Sequence, residues 1–265
     1  MKVYLTAHIA GRVVLGSTDA VIVAAADLGT LLGYGTYSCH KLHYGTIGST
    51  SMQTDIVFGI LVLIFSVILH EVAHGYMADF LGDPTARLQG RLTLNPFKHI
   101  DPVGTIFLPA LLVITHSPML IGYAKPVPYN PYNLSGKYDE ALVAFAGPGT
   151  NIILAIVFGL AIRFLAPAGG MSLVSPSFIA AFATIAYINM LLALFNLIPL
   201  PPLDGSKVLA GILPGELGRA YDSFRRSFER FGVLTGTLII LVIFYYLSPY
   251  FSVGLNALFN LLTGL

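Results

Sequence analysis

Two histidines and a glutamate stand close together in the stretch VILHEVAHGYMADF, residues 67 to 80. His70 and His74 are four positions apart, so on a helix both imidazoles lie on one face, one turn apart, where they can bind one metal ion. Glu71 follows His70 directly and is displaced around the helix. There its carboxylate can take a proton from a metal-activated water without binding the metal. This HExxH pattern is typical of two zinc ligands and a general base.

The position of this motif strengthens the zinc interpretation. The preceding run, residues 56 to 69, carries no charged side chain, so the motif closes a segment apolar enough to enter a membrane. An ionisable group inside a bilayer costs about 2.5 to 3.5 kcal/mol. A lone histidine is more often a hydrogen-bonded core residue. Three ionisable groups within five positions need a compensating partner, and zinc supplies one.

A catalytic zinc ion has three protein ligands and one open position, so a third ligand must come from elsewhere in the chain. Asp204 appears directly after residues 164 to 203, which contain no charged side chain. Taken alone, Asp204 is typical of a turn, because prolines precede it and a glycine follows. Beside an incomplete zinc site it becomes the favoured third ligand, with His99 and His116 as alternatives.

The composition predicts an integral membrane protein. Of its 265 residues, 55% are hydrophobic and only 10% are charged, whereas soluble domains carry about 25% charged residues. The net charge of +1 excludes a strongly basic nucleic-acid-binding protein. Cys39 is the single cysteine, so neither an internal disulfide nor a thiolate metal site can form.

The apolar blocks predict an all-α polytopic membrane protein, with about five transmembrane helices, a re-entrant segment and the zinc site inside the bundle. Glycine and proline signals mark the ends of the helices. The predicted helices cover residues 56–80, 141–165, 178–198, 231–247 and 250–262. Residues 1–51 are expected to be a poorly structured N-terminal extension, or the product of an over-long start-site assignment. Residues 52–265 form the membrane domain, with a core over about 56–213 and C-terminal helices over 231–262.

The apolar block 103–124 is predicted to enter and leave the membrane by the same face. The HExxH motif and Asp204 each follow a helix, and these two helix ends must lie on one side of the membrane to meet. Two apolar blocks lie between them, which is one crossing too many. The block 103–124 has two interior prolines, Pro109 and Pro118, and is the better candidate for a re-entrant segment.

The basic residues support this topology independently. With 103–124 re-entrant, only Arg163 of the membrane core lies on the face opposite the site. The basic residues on the face of the site are Arg87, Arg91, Lys98, Lys125, Lys137, Lys207, Arg219, Arg225, Arg226 and Arg230. Because positive residues favour the cytoplasmic side, we expect a multi-pass plasma-membrane protein whose site opens toward the cytoplasm.

The motifs together resemble the site-2 protease family of intramembrane zinc metalloproteases. HEVAH at 70–74 and NLIPLPPLDG at 196–205 carry the resemblance. It continues through GDPTARLQGRLTLNPFKHIDPVGT (82–105), AKPVPYNP (124–131) and AFAGPGTN (144–151), and covers about 56–213. The chain lacks the PDZ domain that many members insert between the two main motifs, so it resembles the compact branch.

The resemblance implies a function for the predicted site. His70, His74 and Asp204 would bind one zinc ion, and Glu71 would be the catalytic acid and base. The reaction would be hydrolysis of peptide bonds in or near the transmembrane segments of membrane-protein substrates. The expected partners are therefore such substrates and the lipid bilayer, and the oligomeric state stays open.

A transmembrane substrate must unwind locally before cleavage, and several residues are candidates for contacting it. The extended run AKPVPYNP could offer edge hydrogen bonds, with Lys125, Tyr129 and Asn130 as candidate contacts, or it could be a proline-rich surface loop. Asn196 could steady the scissile strand. Alternatively, Asn151 and Asn196 could each join two helices by hydrogen bonding.

Two other functions are consistent with parts of the sequence. A membrane metal-ion or proton transporter could use His70, His74 and Asp204 as an ion site, since intramembrane ionisable groups often mark ion pathways. An inactive binding protein could retain the same motifs. The absence of an internal repeat and of further ionisable groups in the other predicted helices disfavours the transporter, and the complete set including Glu71 disfavours inactivity.

Overall fold

The computed structural model of the protein describes residues 49–102, 124–166, 173–230 and 233–264, together with residues 107 and 114. This part of the chain is helical, as the sequence predicts. Its α-helices are α1 (Ser49–Phe80), α2 (Thr85–Leu88), α3 (Asp139–Leu165), α4 (Pro176–Asn196), α5 (Asp204–Ile212), α6 (Gly215–Glu229) and α7 (Val233–Thr263). Two 3-10 helices cover Pro96–Lys98 and Pro131–Asn133.

Three of the described helices are long and apolar enough to cross a membrane: residues Val57–Phe80 of α1, and the whole of α3 and α4. The protein is therefore an integral membrane protein, as its composition predicts. The predicted ends of these helices agree with the observed ends within two residues, except that α1 begins at Ser49. The predicted total of about five crossings stays a prediction.

Two sequence predictions fall mainly outside the described residues. The N-terminal extension, 1–51, is described only at residues 49–51, which belong to α1 rather than to a poorly structured segment. The re-entrant block, 103–124, is described only at residues 107, 114 and 124.

The C-terminal end of α1 shows how local sequence positions the HExxH motif. Gly82 has φ 110°, a left-handed conformation that glycine adopts readily. The Gly82 N–H donates to Asp79 O and the Asp83 N–H to Ala78 O, which is the Schellman pattern of hydrogen bonds. Pro84 follows, so the helix cannot continue. The motif therefore lies in the last three turns of α1.

Helix α3 is the centre of the bundle and packs against α1, α4, α5 and α7. Its buried face is rich in small residues, among them Ala144, Gly147, Ala155 and Gly159. Small residues let helix backbones approach closely in a membrane, where lipid is as apolar as the side chains. Because α3 passes so near its neighbours, it can contact the metal-site residues of α1 directly.

The C-terminal region differs from its prediction. Two helices separated at Ser248 and Pro249 were expected, but α7 is one continuous helix with Pro249 inside it. The prediction of a break was wrong because a proline removes only one intrahelical donor, and a membrane helix tolerates this when local adjustments satisfy the freed groups.

Candidate metal centre

Three side chains from two distant parts of the sequence converge at one buried point. His70 and His74 come from α1, and Asp204 is the first residue of α5. His70 Nε2 lies 3.1 Å from Asp204 Oδ2 and 3.1 Å from His74 Nε2, and His74 Nε2 lies 3.3 Å from Asp204 Oδ2. Tetrahedral zinc with ligands at 2.0 to 2.1 Å separates its ligand atoms by about 3.4 Å. The triangle therefore has the size that one zinc ion requires.

Hydrogen bonds on the far sides of the imidazoles decide which nitrogen faces the centre. His70 Nδ1 lies 2.6 Å from Asn151 Oδ1, and His74 Nδ1 lies 2.6 Å from Val143 O. Because these oxygens only accept, both Nδ1 atoms carry the ring proton and both Nε2 atoms present a lone pair. Two lone pairs and a carboxylate facing one another repel unless a cation lies between them. Buried Asp204 Oδ1 also has no partner among the described residues, so this set fits a divalent metal.

The orientation of His70 is set by a chain of amides that crosses three helices. Asn151 Nδ2 on α3 donates to Asn189 Oδ1 on α4 at 2.8 Å, and Asn189 Nδ2 donates to Ser66 Oγ on α1 at 2.9 Å. Asn151 thus joins helices, the role considered for it, and also orients a histidine of the candidate metal site. Such outer partners fix the tautomer of a ligating histidine and raise its basicity.

Gly147 contacts the same two histidines from α3. A Cβ atom added at this position would lie 2.6 Å from His70 Nε2 and closer still to His74 Nε2. The sequence alone did not show that the packing partners are the metal-site histidines.

The turn before α5 delivers Asp204 to the site. The Leu203 N–H donates to Leu200 O at 2.9 Å, and Ser206 Oγ donates to Leu203 O at 2.7 Å. At Gly205 a Cβ would collide with the backbone carbonyl of Leu197, so a larger residue would displace the turn. Asp204 therefore starts the helix, where the positive end of the helix dipole stabilises a carboxylate.

Glu71 is buried beside the histidines, and an extended segment, residues 124–130, holds its carboxylate. The Val127 N–H donates to Glu71 Oε2 at 3.1 Å. Arg91 Nη2 supports the same segment by donating to Lys125 O at 2.8 Å and to Pro126 O at 3.0 Å. Burial lowers the pKa of Arg91, and the Glu71 carboxylate opposes that shift. Glu71 is thus fixed from outside its own helix.

A small open cleft lies next to these groups. It is lined by residues from the ends of α1, α3 and α5 and from the extended segment: Glu71, His74, Val127, Tyr129, Val143, Ala144 and Lys207. Lys207 Nζ donates to Tyr129 Oη at 3.0 Å. Pro148 has no N–H, so the Ala144 carbonyl lacks its usual intrahelical donor. The cleft therefore brings polar groups close to Glu71 and to the candidate metal site.

The other described candidate residues do not line this cleft. His99, an alternative third ligand, is not part of the triad, because its Nε2 donates to Thr93 O at 2.8 Å. His116 lies outside the described residues. Lys125 has an exposed side chain. The backbone N–H of Asn130 donates to Asp83, and the Asn196 amide donates to Leu192 O in its own helix.

Comparisons with known proteins agree with this centre. Residues 162–243 match Peptidase family M50. The chain is 35% identical to YwhC of Bacillus subtilis (strain 168), provisionally named a zinc metalloprotease, over 78% of this chain and 91% of that protein. It is 30% identical to Rip2 of Mycolicibacterium smegmatis, which carries the same provisional description, over 61% of each chain. It is 26% identical to the zinc metalloprotease MJ0392 of Methanocaldococcus jannaschii, over 40% of that protein. No solved structure matches the chain significantly.

These likenesses define a class of protein, the membrane-embedded zinc metalloproteases. The chain belongs to peptidase family M50, the site-2 protease family, and its cofactor is Zn²⁺.

Proposed function

We propose that this protein is an intramembrane endopeptidase that hydrolyses peptide bonds in or near the transmembrane segments of membrane-protein substrates. The observation that carries the proposal is the buried triangle of His70, His74 and Asp204 with Glu71 beside it, at the end of a helix long enough to span a membrane. Residues 52–265 form the protease domain in this proposal, with the catalytic core over about 56–213.

Each site residue has a distinct role in this hydrolysis. The zinc ion bound by His70, His74 and Asp204 supplies Lewis-acid activation of water and of the peptide carbonyl. Glu71 takes a proton from the attacking water as the new C–O bond forms. Glu71 then gives a proton to the amide nitrogen as the C–N bond breaks. The Val127 N–H holds the Glu71 carboxylate in place throughout.

The substrate reaches this centre as an unwound strand. A helix satisfies its own peptide groups, so its scissile bond is exposed only after local unwinding. Tyr129 lines the cleft, while Lys125, Asn130 and Asn196 stay candidates for more distant contacts. The block 103–124 is re-entrant in this proposal, and the site opens to the cytoplasm.

The transporter alternative is not favoured. An ion pathway needs ionisable groups beyond a single site, and the described residues contain one group of three potential metal ligands. The relatives are named for proteolysis. Cleavage of a protein substrate separates the two functions.

The first test is the zinc content of detergent-purified protein. Wild type is expected to contain about one zinc ion per chain, and His74→Ala and Asp204→Ala to contain much less, because three protein ligands hold a catalytic zinc. His99→Ala is the matched control, since this buried histidine lies outside the triad. The ligand assignment would be overturned if Asp204→Ala kept its full zinc content. It would also be overturned if His99→Ala lost zinc while Asp204→Ala did not.

The second test separates zinc binding from proton transfer. Glu71→Gln is expected to keep its zinc and to lose cleavage of a tagged single-span model substrate by at least about 100-fold, because the amide cannot accept the proton. Glu216→Gln is the control, since that side chain is 94% exposed on α6. Near-wild-type cleavage by Glu71→Gln would refute the general-base role.

A further inference from the structure

Tyr129 and Lys207 reach the catalytic cleft from different parts of the chain and meet there. Tyr129 belongs to the extended segment that follows the block 103–124, and Lys207 belongs to α5. Lys207 is three positions after Asp204, so both side chains project from one side of α5. Lys207 Nζ lies 3.0 Å from Tyr129 Oη and 5.1 Å from the centre of its ring. The metal site and this pair therefore occupy the same end of one short helix.

The direction of this hydrogen bond leaves the phenol able to donate. An ammonium group has only donors, so Lys207 donates and Tyr129 Oη accepts. The Tyr129 hydroxyl then keeps its own proton for donation to another acceptor. Burial raises the pKa of Tyr129 above its ordinary value, although the Lys207 charge acts in the opposite direction. Tyr129 is consequently a neutral donor next to a cation, and a neighbouring hydrogen bond to a cation makes an O–H a stronger donor.

Three backbone donors of the extended segment are already used. The Lys125 N–H donates to His99 O, the Val127 N–H to Glu71 and the Asn130 N–H to Asp83. Prolines occupy positions 126 and 128 and have no N–H. These groups cannot serve an incoming carbonyl oxygen without breaking contacts that hold the site. Tyr129 lines the cleft with Glu71 and His74 and carries the hydroxyl of this segment.

We propose that Tyr129 is a further catalytic residue, whose hydroxyl donates a hydrogen bond to the scissile carbonyl oxygen as that oxygen gains negative charge. Lys207 is a positioning residue that holds this hydroxyl toward the cleft and strengthens it as a donor. The proposal rests on the peptidase function proposed above. Removing one donor of this kind costs about 100- to 1,000-fold in kcat, since it acts where charge develops.

The test measures kcat and KM separately on a model single-span substrate, with zinc content determined on the same preparations. Tyr129→Phe, which removes only the hydroxyl, is expected to lower kcat by about 100-fold with KM and zinc unchanged. Lys207→Met is expected to lower kcat as well, and Lys207→Arg to recover part of it. Tyr132→Phe is the control, because Tyr132 is 96% exposed in the neighbouring turn.

A second measurement distinguishes transition-state binding from substrate binding. A phosphonamidate peptide, whose tetrahedral oxygens imitate the transition state, is expected to bind Tyr129→Phe about 100-fold more weakly than wild type. An uncleaved peptide of the same sequence is measured on two variants, Glu71→Gln and the double variant that also carries Tyr129→Phe. It is expected to bind these two variants with equal affinity. A loss confined to KM, or equal weakening of both ligands, would overturn the catalytic role of Tyr129.

The outcomes also separate this proposal from the peptidase function. If wild type cleaves and Glu71→Gln does not, while Tyr129→Phe cleaves at the wild-type rate, only the role of Tyr129 is wrong. If Glu71→Gln cleaves as well as wild type, the peptidase mechanism fails, and the proposal for Tyr129 fails with it.

Discussion

At the scale of single residues, the geometry of the candidate metal centre depends on the hydrogen-bond acceptors of its histidines and on the space between the two rings. Asn151 and Val143 accept from the two Nδ1 atoms, so both Nε2 atoms turn toward Asp204. Gly147 leaves the space in which those Nε2 atoms meet. The acceptors and the space come from one helix, α3, although the proposed ligands come from α1 and α5. A change in α3 should therefore affect zinc binding without touching a ligand.

Gly147→Ala is the sharpest such change. The added methyl group would lie within 2.6 Å of His70 Nε2, so one imidazole or the whole helix must move. We expect zinc affinity to fall by about 10- to 100-fold, as for other changes behind metal ligands. Competition with a chelator in detergent solution measures this affinity.

Gly149→Ala is the matched control for this prediction. It is the same substitution two residues later in α3, where a Cβ would meet only the half-exposed ring of Phe145, at 3.3 Å. This variant is expected to bind zinc like wild type. Equal affinities in both variants would contradict the role assigned to Gly147.

The residue scale also shows what could be predicted from sequence. His70, Glu71 and His74 are recognisable because their spacing alone puts them on related faces of one helix. Asp204 has no such local partner, and it became a candidate because it follows a long uncharged stretch, because two histidines leave a zinc site incomplete, and because it lies in the NLIPLPPLDG motif. Gly147 and the orientation of Asn151 could not be predicted, because their meaning depends on which helix lies against which. That pairing is a tertiary property with no local signal.

At the scale of elements, the extended segment 124–130 contributes to the site together with α1. It supplies the Val127 N–H to Glu71 and the Tyr129 side chain to the cleft. The segment has no partner strand in the described structure, so its position depends on the backbone bond from the Lys125 N–H to His99 O and on contacts with side chains. Arg91 is the main support, because it is buried and donates to two consecutive carbonyls.

Arg91→Ala is expected to lower kcat by between about 10- and 100-fold while zinc content stays at wild type. Small displacements of a catalytic group have effects of this size, and the variant removes both hydrogen bonds that Arg91 donates to the segment beside Glu71. Arg91→Lys should recover part of the activity, since its ammonium can reach one carbonyl. Steady-state kinetics on the model single-span substrate measures the effect.

Arg87→Ala is the control for this experiment. Arg87 lies on the same stretch of chain, but its side chain is 65% exposed and pairs with Asp79. An exposed pair of this kind contributes little to stability. If Arg91→Ala and Arg87→Ala are equally active, the segment does not depend on Arg91 for its position.

Local signals at this scale were reliable for helix ends and unreliable for helix interiors. The stop after Phe80 was predictable because Gly82 and Pro84 have direct backbone consequences. The continuity of α7 through Pro249 was not, because neighbouring groups decide whether a helix survives a proline. Tyr187 of α4 contacts Phe259 and donates to Asn256 Oδ1 at 3.0 Å, so α7 is packed against the bundle beyond the proline.

At the scale of the whole molecule, α3 defines two opposite ends. Its 27 residues extend about 40 Å, which exceeds the hydrocarbon thickness of about 30 Å. The end at Asp139 carries α5 and α6, because Arg225 of α6 pairs with Glu140 at 3.2 Å. The other end carries Arg163, which donates to Leu261 O at 2.7 Å. The arginines of α6 and Arg163 therefore lie at opposite ends of the bundle.

This separation allows a direct test of the proposed orientation. Cys39 is the single cysteine, so Cys39→Ser gives a background without thiols. Leu173→Cys places a thiol at a residue 73% exposed in the α3–α4 connection, and Arg219→Cys places one at a side chain 78% exposed on α6. Because positive residues stay on the cytoplasmic side, a membrane-impermeant maleimide should label position 173 in intact spheroplasts. It should label position 219 only after permeabilisation. The reverse pattern would place the catalytic cleft on the outer face, and labelling of both positions in intact spheroplasts would show that α3 does not span the membrane.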